Sequence, residues 1–497
     1  MRYAIPLCLA LAAAASGAEL REAPFPGKRT GYVLDSQLLR VGVIPAIGGR
    51  VVELTPKATG HNYLRTAPHY FGLGPDDPWP GAEYGGICDV ATDGWPGPFW
   101  GLRYRRVDLP ESRGALLLRL AAEAEGIGII RDLLIPDNST LLSIKVVQRN
   151  LTDKPMKMVV RIHNELRVGT AADASDVIFW PDGEELRSRR YIPGSESPRF
   201  CFDTVTGEWS AIADTAEREV LVHRFVRPGP PHRVFFWSGH NDPPPGVAEN
   251  SGDHGFYNNE RFCPRQEVAP GGSIEAVEEF WAIQGLGRVD FCCSEGAGSL
   301  ELERARFGRD DPIAVTCAFG GPRAGKPLQA VVAIADAQGK AVAERTAQLP
   351  AFAAGKASRA EVSLAAKGLA DGRYSIVATF RRGEAVLGTA RGSFEVAAKL
   401  VADARQAVQA LQQRVAKLRD TWKQDSVDRV RVSVLQARVD ALKPALERGD
   451  FENAIAQAVG VAAAIDRATA DRARALAPRK PPADDASAIL QRYREGK

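Results

Sequence analysis

Asn150 to Glu165 reads NLTDKPMKMVVRIHNE, a polar turn followed by an alternating run. From Met156 onward, Met156, Met158, Val160 and Ile162 fall on one side, and Lys157, Val159, Arg161, His163 and Glu165 fall on the other. A period of two is the mark of a β-strand, with its apolar row turned to a core. The opposite row sets a guanidinium, an imidazole and a carboxylate two residues apart. Burying such groups unpaired is costly, so this row is expected to meet water or a polar ligand. The bland alternative is the solvated face of an ordinary antiparallel strand.

Working outward, residues 31 to about 288 carry strand-like runs, Gly, Pro and Trp, with almost no helical periodicity. Leu39 to Val43 alternates, Pro45 breaks it, and Gly48-Gly49 turns the chain into a second strand from Arg50 to Leu54. Leu116–Leu120, Ile127–Ile135, Leu141–Arg149, Met156–Val168, Val220–Phe225, Val234–Trp237 and Ile274–Ile283 follow the same rule. So many strands predict one large antiparallel sandwich across 19–288. Shorter strands between 289 and 397, spaced by Gly320-Gly321, Asp336 to Gly339 and Asp371-Gly372, predict an immunoglobulin-like or fibronectin type III-like sandwich.

After Ala398 the period changes. Leu400 or Val401, Ala404, Val408, Leu411, Val415, Leu418 and Trp422 recur at three and four, the seam of a packed helix. Val427, Val430, Val434, Leu442 and Leu446 suggest a second helix. Phe451, Ile455, Val459, Ala462 and Ile465 suggest a third, after Gly449 and the N-cap Asp450. Residues 398–476 are therefore expected to form a helical hairpin or small bundle, through which the chain could self-associate, and 477–497 a Pro/Ala-rich tail. The fold class is mainly β: a large antiparallel supersandwich, a smaller sandwich and C-terminal helices.

The chain has 497 residues, and 64 basic against 61 acidic side chains leave no charge excess to hold a phosphate backbone. Nucleic acid is not an expected partner. Residues 1–18 have the pattern of an export signal: Arg2, an apolar stretch from Ile5 to Ala15, and Ser16-Gly17-Ala18 before a mature start at Glu19. No later run is long and apolar enough to span a bilayer, so a periplasmic or secreted protein without a transmembrane segment is expected. Cys88, Cys201, Cys263, Cys292, Cys293 and Cys317 remain after cleavage, as free buried thiols or in one or two bridges. No Cys/His spacing matches a zinc motif, and Gly239-His240-Asn241-Asp242 with Asp253-His254 fits no defined site. Neither metal nor cofactor is expected.

Four motifs occur in order: LRVGVIPAIGGRVVEL from Leu39, EYGGICDVATDGWPGPFWG from Glu83, NLTDKP before the histidine strand, and VAPGGSIEAVEEFWAI from Val268. In this order they resemble the galactose mutarotase-like supersandwich family, which includes the aldose epimerases, over about half of the chain. The resemblance implies that His163 is the general acid toward a sugar ring oxygen. It implies a carboxylate base shortly before the Pro-Gly strand, and Glu260 in ERFCPRQEVAPG is the nearest match. Glu249 is the rival, at a spacing closer to true mutarotases. Two departures stand out: Gly85-Gly86 replaces an epimerase His-Gly, and Asn164-Glu165 replaces the usual Tyr-Phe pair.

Tryptophans and carboxylates between Pro78 and Gly101 suit a sugar, whose C–H faces pack on rings while its hydroxyls bond to polar groups. Arg50, Trp95, Arg161, Glu165 and Glu249 join the candidate ligand-binding residues, with His163 and Glu260 as candidate catalytic residues. The expected function is an exported carbohydrate-binding protein, an aldose-epimerase-like isomerase if catalytic. The competing class is a non-catalytic envelope scaffold or interaction protein.

Overall fold

The computed structural model describes residues 18–26, 28–65, 85–91, 97–110, 113–190, 201–205, 207–227, 232–240, 255–307, 312–365, 368–396, 400–422, 426–447 and 451–476. Residues 1–17 of the expected leader, Trp95, Glu249 and the tail from 477 lie outside them. The fold is mainly β, with large antiparallel sheets and C-terminal helices. Contacts divide the chain into two compact units: Met1–Glu303, Ala314–Leu364 and Ser375–Gly392 form one, and Arg304–Ile313, Ala365–Tyr374 and Ser393–Lys497 the other.

In the first unit, a six-stranded sheet runs in the order Glu19–Phe25, Arg29–Asp35, Leu39–Ile44, Arg50–Pro56, Gly86–Asp89, Ile162–Glu165. A nine-stranded sheet is built around Glu219–Arg227, Ser273–Gln284, Leu141–Asn150, Ile127–Pro136 and Ala115–Ala124, neighbours in that order. The two share a core: Val41, Leu54, Ile87 and Ile162 from one meet Leu120, Ile129, Leu133, Ile144 and Phe280 from the other. Alternation puts the intervening residues of the larger sheet in a second core, where Val177, Ala211, Val220, Trp281 and Ile283 pack with Leu286, Val289, Ala297 and Ala318. The expected turn after Pro45 is a single 3-10 turn, Pro45–Ile47, closed by Gly48 and Gly49 at φ 81° and 57°.

The run expected as one strand, Met156–Val168, is broken. Met156–Met158 pairs with Gln266–Val268, and after two irregular residues and the bridge at Arg161 the strand Ile162–Glu165 joins the six-stranded sheet beside Gly86–Asp89. The two-residue alternation survives the break: Met158, Val160 and Ile162 face the shared core. The opposite row corrects the solvated reading. Arg161, His163 and Glu165 are buried, and only Lys157 is exposed. They can be buried because the strand Gly255–Phe262 and the turn at Phe99-Trp100 cover them with partners of opposite charge and an aromatic ring.

Between 289 and 397 the chain forms strands in a four-stranded and a five-stranded sheet, among them Pro312–Gly320, Leu328–Ala335, Ala357–Ala365 and Gly372–Arg382. Ala341–Leu349 is a strand that the apolar pattern does not reveal; it lies at a sheet edge, where AVAERTAQL leaves most side chains exposed.

The helices are Leu400–Thr421, Ser426–Asp440, Lys443–Glu447 and Phe451–Leu476. The first seam is as expected, with Ala404, Val408, Leu411, Val415 and Trp422 buried. The second and third seams hold in part, with Leu442, Ile455 and Ile465 buried as expected. Val432, Leu435, Val439 and Leu442 pack inward with Ala458, Val461, Ala464 and Ile465, while Val430, Val434 and Val459 are exposed. Alanines at 454, 458 and 464 let the helices approach closely, which favours a seam that a search for large apolar residues passes over. No described helix is long and apolar enough to cross a membrane.

Candidate functional site

His163 lies opposite Cys88, and Glu165 opposite Gly86, in the ladder between Ile162–Glu165 and Gly86–Asp89. Gly86 has φ 100°, and a Cβ there would lie 2.0 Å from the Val51 carbonyl oxygen. Gly86 therefore has to be a glycine, while Gly85, which stands where the resemblance leads one to look for a second histidine, would set a Cβ 2.5 Å from the Arg65 carbonyl oxygen. On the other edge, Arg161 bridges to Phe262. Asn164 then replaces backbone pairing with its own amide: Nδ2 donates to the Asn259 carbonyl at 2.6 Å, and Oδ1 accepts from the Asn259 N–H at 2.8 Å. This double bond of side chain to backbone fixes Gly255–Phe262 against the histidine strand.

The fixed register brings Glu260 to His163. Glu260 Oε1 lies 2.6 Å from His163 Nδ1, and Oε2 accepts from Arg161 Nε at 2.7 Å. Asn258, two residues away on the same face, donates Nδ2 to Glu260 Oε1 at 2.8 Å. The other ring nitrogen, Nε2, lies 3.2 Å from Glu165 Oε1, and the second oxygen of Glu165 accepts from Arg65 Nε. The chain Arg65, Glu165, His163, Glu260, Arg161 thus alternates in charge through a buried space; His163 is 2% exposed and Glu260 0%. Trp100 closes it, its ring centred 5.2 Å from the imidazole and 4.0 Å from the Arg50 guanidinium carbon.

Burial opposes charge on His163, yet the carboxylates of Glu260 and Glu165 outweigh it and raise its pKa. Burial acts against both carboxylates too. Arg65, followed by His163, holds Glu165 down at about 2, and His163 and Arg161 hold Glu260 below the ordinary range. The geometry favours the same direction: both ring nitrogens lie within hydrogen-bond reach of a carboxylate, the arrangement that suits an imidazolium donating both N–H groups. An acid and a base that act on one hemiacetal must stand on either side of it, each within hydrogen-bond reach of its own oxygen. Here the two are bonded to each other.

The structure thus brings together His163, Glu260, Arg161 and Glu165. Arg50 is fully buried and braces the backbone through long contacts to the carbonyls of Ile47, Gly85 and Trp100. Its place is inside the cluster, not at an open cleft. Trp100 comes from the Pro78 to Gly101 stretch read as suited to a sugar, and Arg65 and Asn258 complete the arrangement without having been singled out. The one visible signal was Asn258 to Arg261, four consecutive polar residues in a strand; all four are buried, with Asn258 and Glu260 on the histidine side. On the opposite side Asn259 bonds to Ser210, and Arg261 pairs with Glu278, which also holds His223. Cys88, Cys263, Cys292, Cys293 and Cys317 are free thiols, and burial pushes Cys88 up to about 12.

Solved structures can be compared with this arrangement. The chain resembles galactose mutarotase-like proteins. One from Clostridium acetobutylicum is 12% identical and matches 54% of this chain and 99% of its own, with a TM-score of 0.39. A galactose mutarotase-like protein from Lactobacillus casei is 12% identical over 51% of this chain and 99% of its own, at 0.34. A galactose mutarotase related enzyme from Lactobacillus acidophilus is 10% identical over 52% and 100%, at 0.36. No protein-family model and no curated protein matches the chain.

Proposed function

We propose that this is an exported carbohydrate-binding protein whose mutarotase-like module holds a sugar without turning it over. The observation that carries the reading is the set of contacts at His163, with both ring nitrogens engaged by carboxylates while Glu260 accepts from His163, Arg161 and Asn258. The acid and the base are turned toward each other and not toward a place between them where a hemiacetal would sit. The same cluster supports recognition. It sets guanidinium and carboxylate groups beside the Trp100 ring, the donor set that a sugar's hydroxyls and C–H face use. Arg161 and Glu165 are the least buried of its ion-paired residues.

Export is read from residues 1–18, and the first strand starting at Glu19, paired with Asp35, is consistent with a mature chain that begins there. The strand-rich middle is read as an immunoglobulin-like module. A bond from the Tyr374 hydroxyl to the Ala370 carbonyl at 2.9 Å supports this, since it has the form of a tyrosine corner. A non-catalytic scaffold is the second reading, favoured by the burial of the whole cluster.

Saturation-transfer NMR on the mature protein with a panel of mono- and oligosaccharides tests the proposal, with polarimetry on every hit. The expected result is a bound sugar whose anomers exchange no faster than in buffer, and binding that is lost in Arg161→Ala while the far-UV spectrum is kept. Accelerated anomer exchange would restore the enzyme. Failure of every sugar to bind would leave the scaffold.

A further inference from the structure

A second polar cluster lies at another rim of the first unit. His61 follows the strand Arg50–Pro56 of the six-stranded sheet, while Glu217 and Glu219 flank the tight turn into Glu219–Arg227 of the nine-stranded sheet. Their ligand atoms lie within 4.8 Å of one another. His61 Nδ1 is 3.1 Å and 3.2 Å from the two oxygens of Glu219, and 3.4 Å from Glu217 Oε2. The imidazole nitrogen is thus hydrogen-bonded to Glu219 and within reach of three carboxylate oxygens. Donor atoms about 2.0–2.1 Å from one tetrahedral ion stand roughly 3.3 Å apart, so these spacings are those of a common coordination sphere.

The surroundings have the features of a metal site's outer shell. The buried Tyr63 hydroxyl donates to Glu219 Oε2 at 2.8 Å, and the Thr170 N–H donates to Glu217 Oε2 at 3.1 Å, so both carboxylates are oriented from behind. Asp214 lies beside Glu217 across Gly169. It is 3% exposed, and its hydrogen bonds from Ser175, Ala216 and Glu217 all fall on Oδ1, which leaves Oδ2 without a partner among the described residues. Gly169, at φ 75°, is the residue that gives way: a Cβ there would come within 2.3 Å of Asp214 Oδ2 and 3.0 Å of Glu217 Oε2. Two carboxylates are brought together at one imidazole, and Gly169 leaves room between Glu217 and Asp214.

We propose that His61, Glu217 and Glu219 bind a divalent transition-metal ion of the zinc type, which ties the two large sheets together at this rim. An imidazole with two carboxylates is the mixed nitrogen and oxygen set that zinc, cobalt or manganese accepts, and it lacks the all-oxygen shell of calcium. His61 and Glu217 are 28% and 31% exposed at their side chains, so an ion can reach the site from solvent. The role is structural and independent of any sugar site.

The test uses the untagged full chain, stripped with a chelator and titrated with Co2+ and then Zn2+. Calorimetry reads the stoichiometry, and visible absorption reads the donor atoms. One ion per chain is expected, with cobalt d–d bands and no thiolate charge-transfer band, and a rise in melting temperature on loading. His61→Gln and Glu217→Gln, both at partly exposed positions that tolerate substitution, should each weaken binding by at least roughly 10–100-fold, the loss that even an outer-shell partner causes. The proposal is overturned if the wild-type chain takes up no ion, if the cobalt spectrum shows sulfur ligation, or if either variant binds as tightly as wild type.

Discussion

Replacing Glu260 by Gln changes one oxygen to an amide and removes the charge that faces both His163 and Arg161. The native carboxylate accepts at 2.6, 2.7 and 2.8 Å from His163, Arg161 and Asn258, in a place with no solvent. Glutamine keeps one acceptor oxygen, so some hydrogen bonding survives, but two buried cations lose one counter-charge, and His163 keeps only that of Glu165. Breaking a buried pair in this way costs about 3–5 kcal/mol. The cost depends on pH, and its sign follows from the shifts. The folded pKa of His163 is raised, so its contribution is fully present below its ordinary value of 6.5 and is lost as pH rises through the folded value. The folded pKa of Glu260 is lowered, so its contribution is present above 4.5 and is lost as pH falls through the folded value.

The difference between wild type and Glu260→Gln should therefore be largest between pH 4.5 and 6.5. It should shrink by about 1.5–3 kcal/mol, the worth of a charged hydrogen bond, as His163 deprotonates at higher pH. Urea unfolding followed by tryptophan fluorescence at a series of pH values measures it, since Trp100 sits on the His163 ring. A difference below about 1 kcal/mol near pH 6 would place the pair in a solvated setting, contrary to its burial. A difference that stays constant from about pH 6 to about pH 9 would show that His163 carries no proton to lose.

Glu165→Gln should lower the His163 pKa, read from the imidazole C–H shifts by NMR, because it removes the carboxylate on Nε2; an unchanged titration would contradict the geometry. Gly86→Ala sets a Cβ 2.0 Å from the Val51 carbonyl in a φ of 100°, so a loss of about 3 kcal/mol or more is expected, seen as a lower urea midpoint or loss of soluble protein. In the helical region, Trp422→Ala should cost about 3–5 kcal/mol, whereas Val434→Lys should stay within about 0.5 kcal/mol, both read from helical ellipticity in urea. Similar losses in the two would mean that the seam has been wrongly placed.

Much of this was visible along the chain. Alternation in Leu141 to Arg149 and Ile274 to Ile283 located central strands within a residue or two, because each strand has one side in a core and period two follows from the backbone itself. The change to three-and-four spacing after Ala398 likewise marked the helices. Local pattern was weakest where burial did not follow hydrophobicity. Ala341–Leu349 is a strand with little apolar content, and Val430 and Val434 are apolar residues on an exposed helix face. The row Arg161, His163, Glu165 was read as a polar face, and its alternation held, but its exposure did not.

By itself the sequence determined the strand that carries His163, the side to which the ring points, and the neighbours at 161 and 165 that share that side. Those follow from bonds of fixed geometry and a repeat of two residues. Only the tertiary structure decided what lies opposite. It placed Glu260, 97 residues away, 2.6 Å from the ring, and turned Arg65 and Trp100 inward to complete the cover. The reason is electrostatic. A charged row is costly to bury alone and can be buried when groups of opposite sign arrive from distant strands, and no pattern within one strand records whether they do.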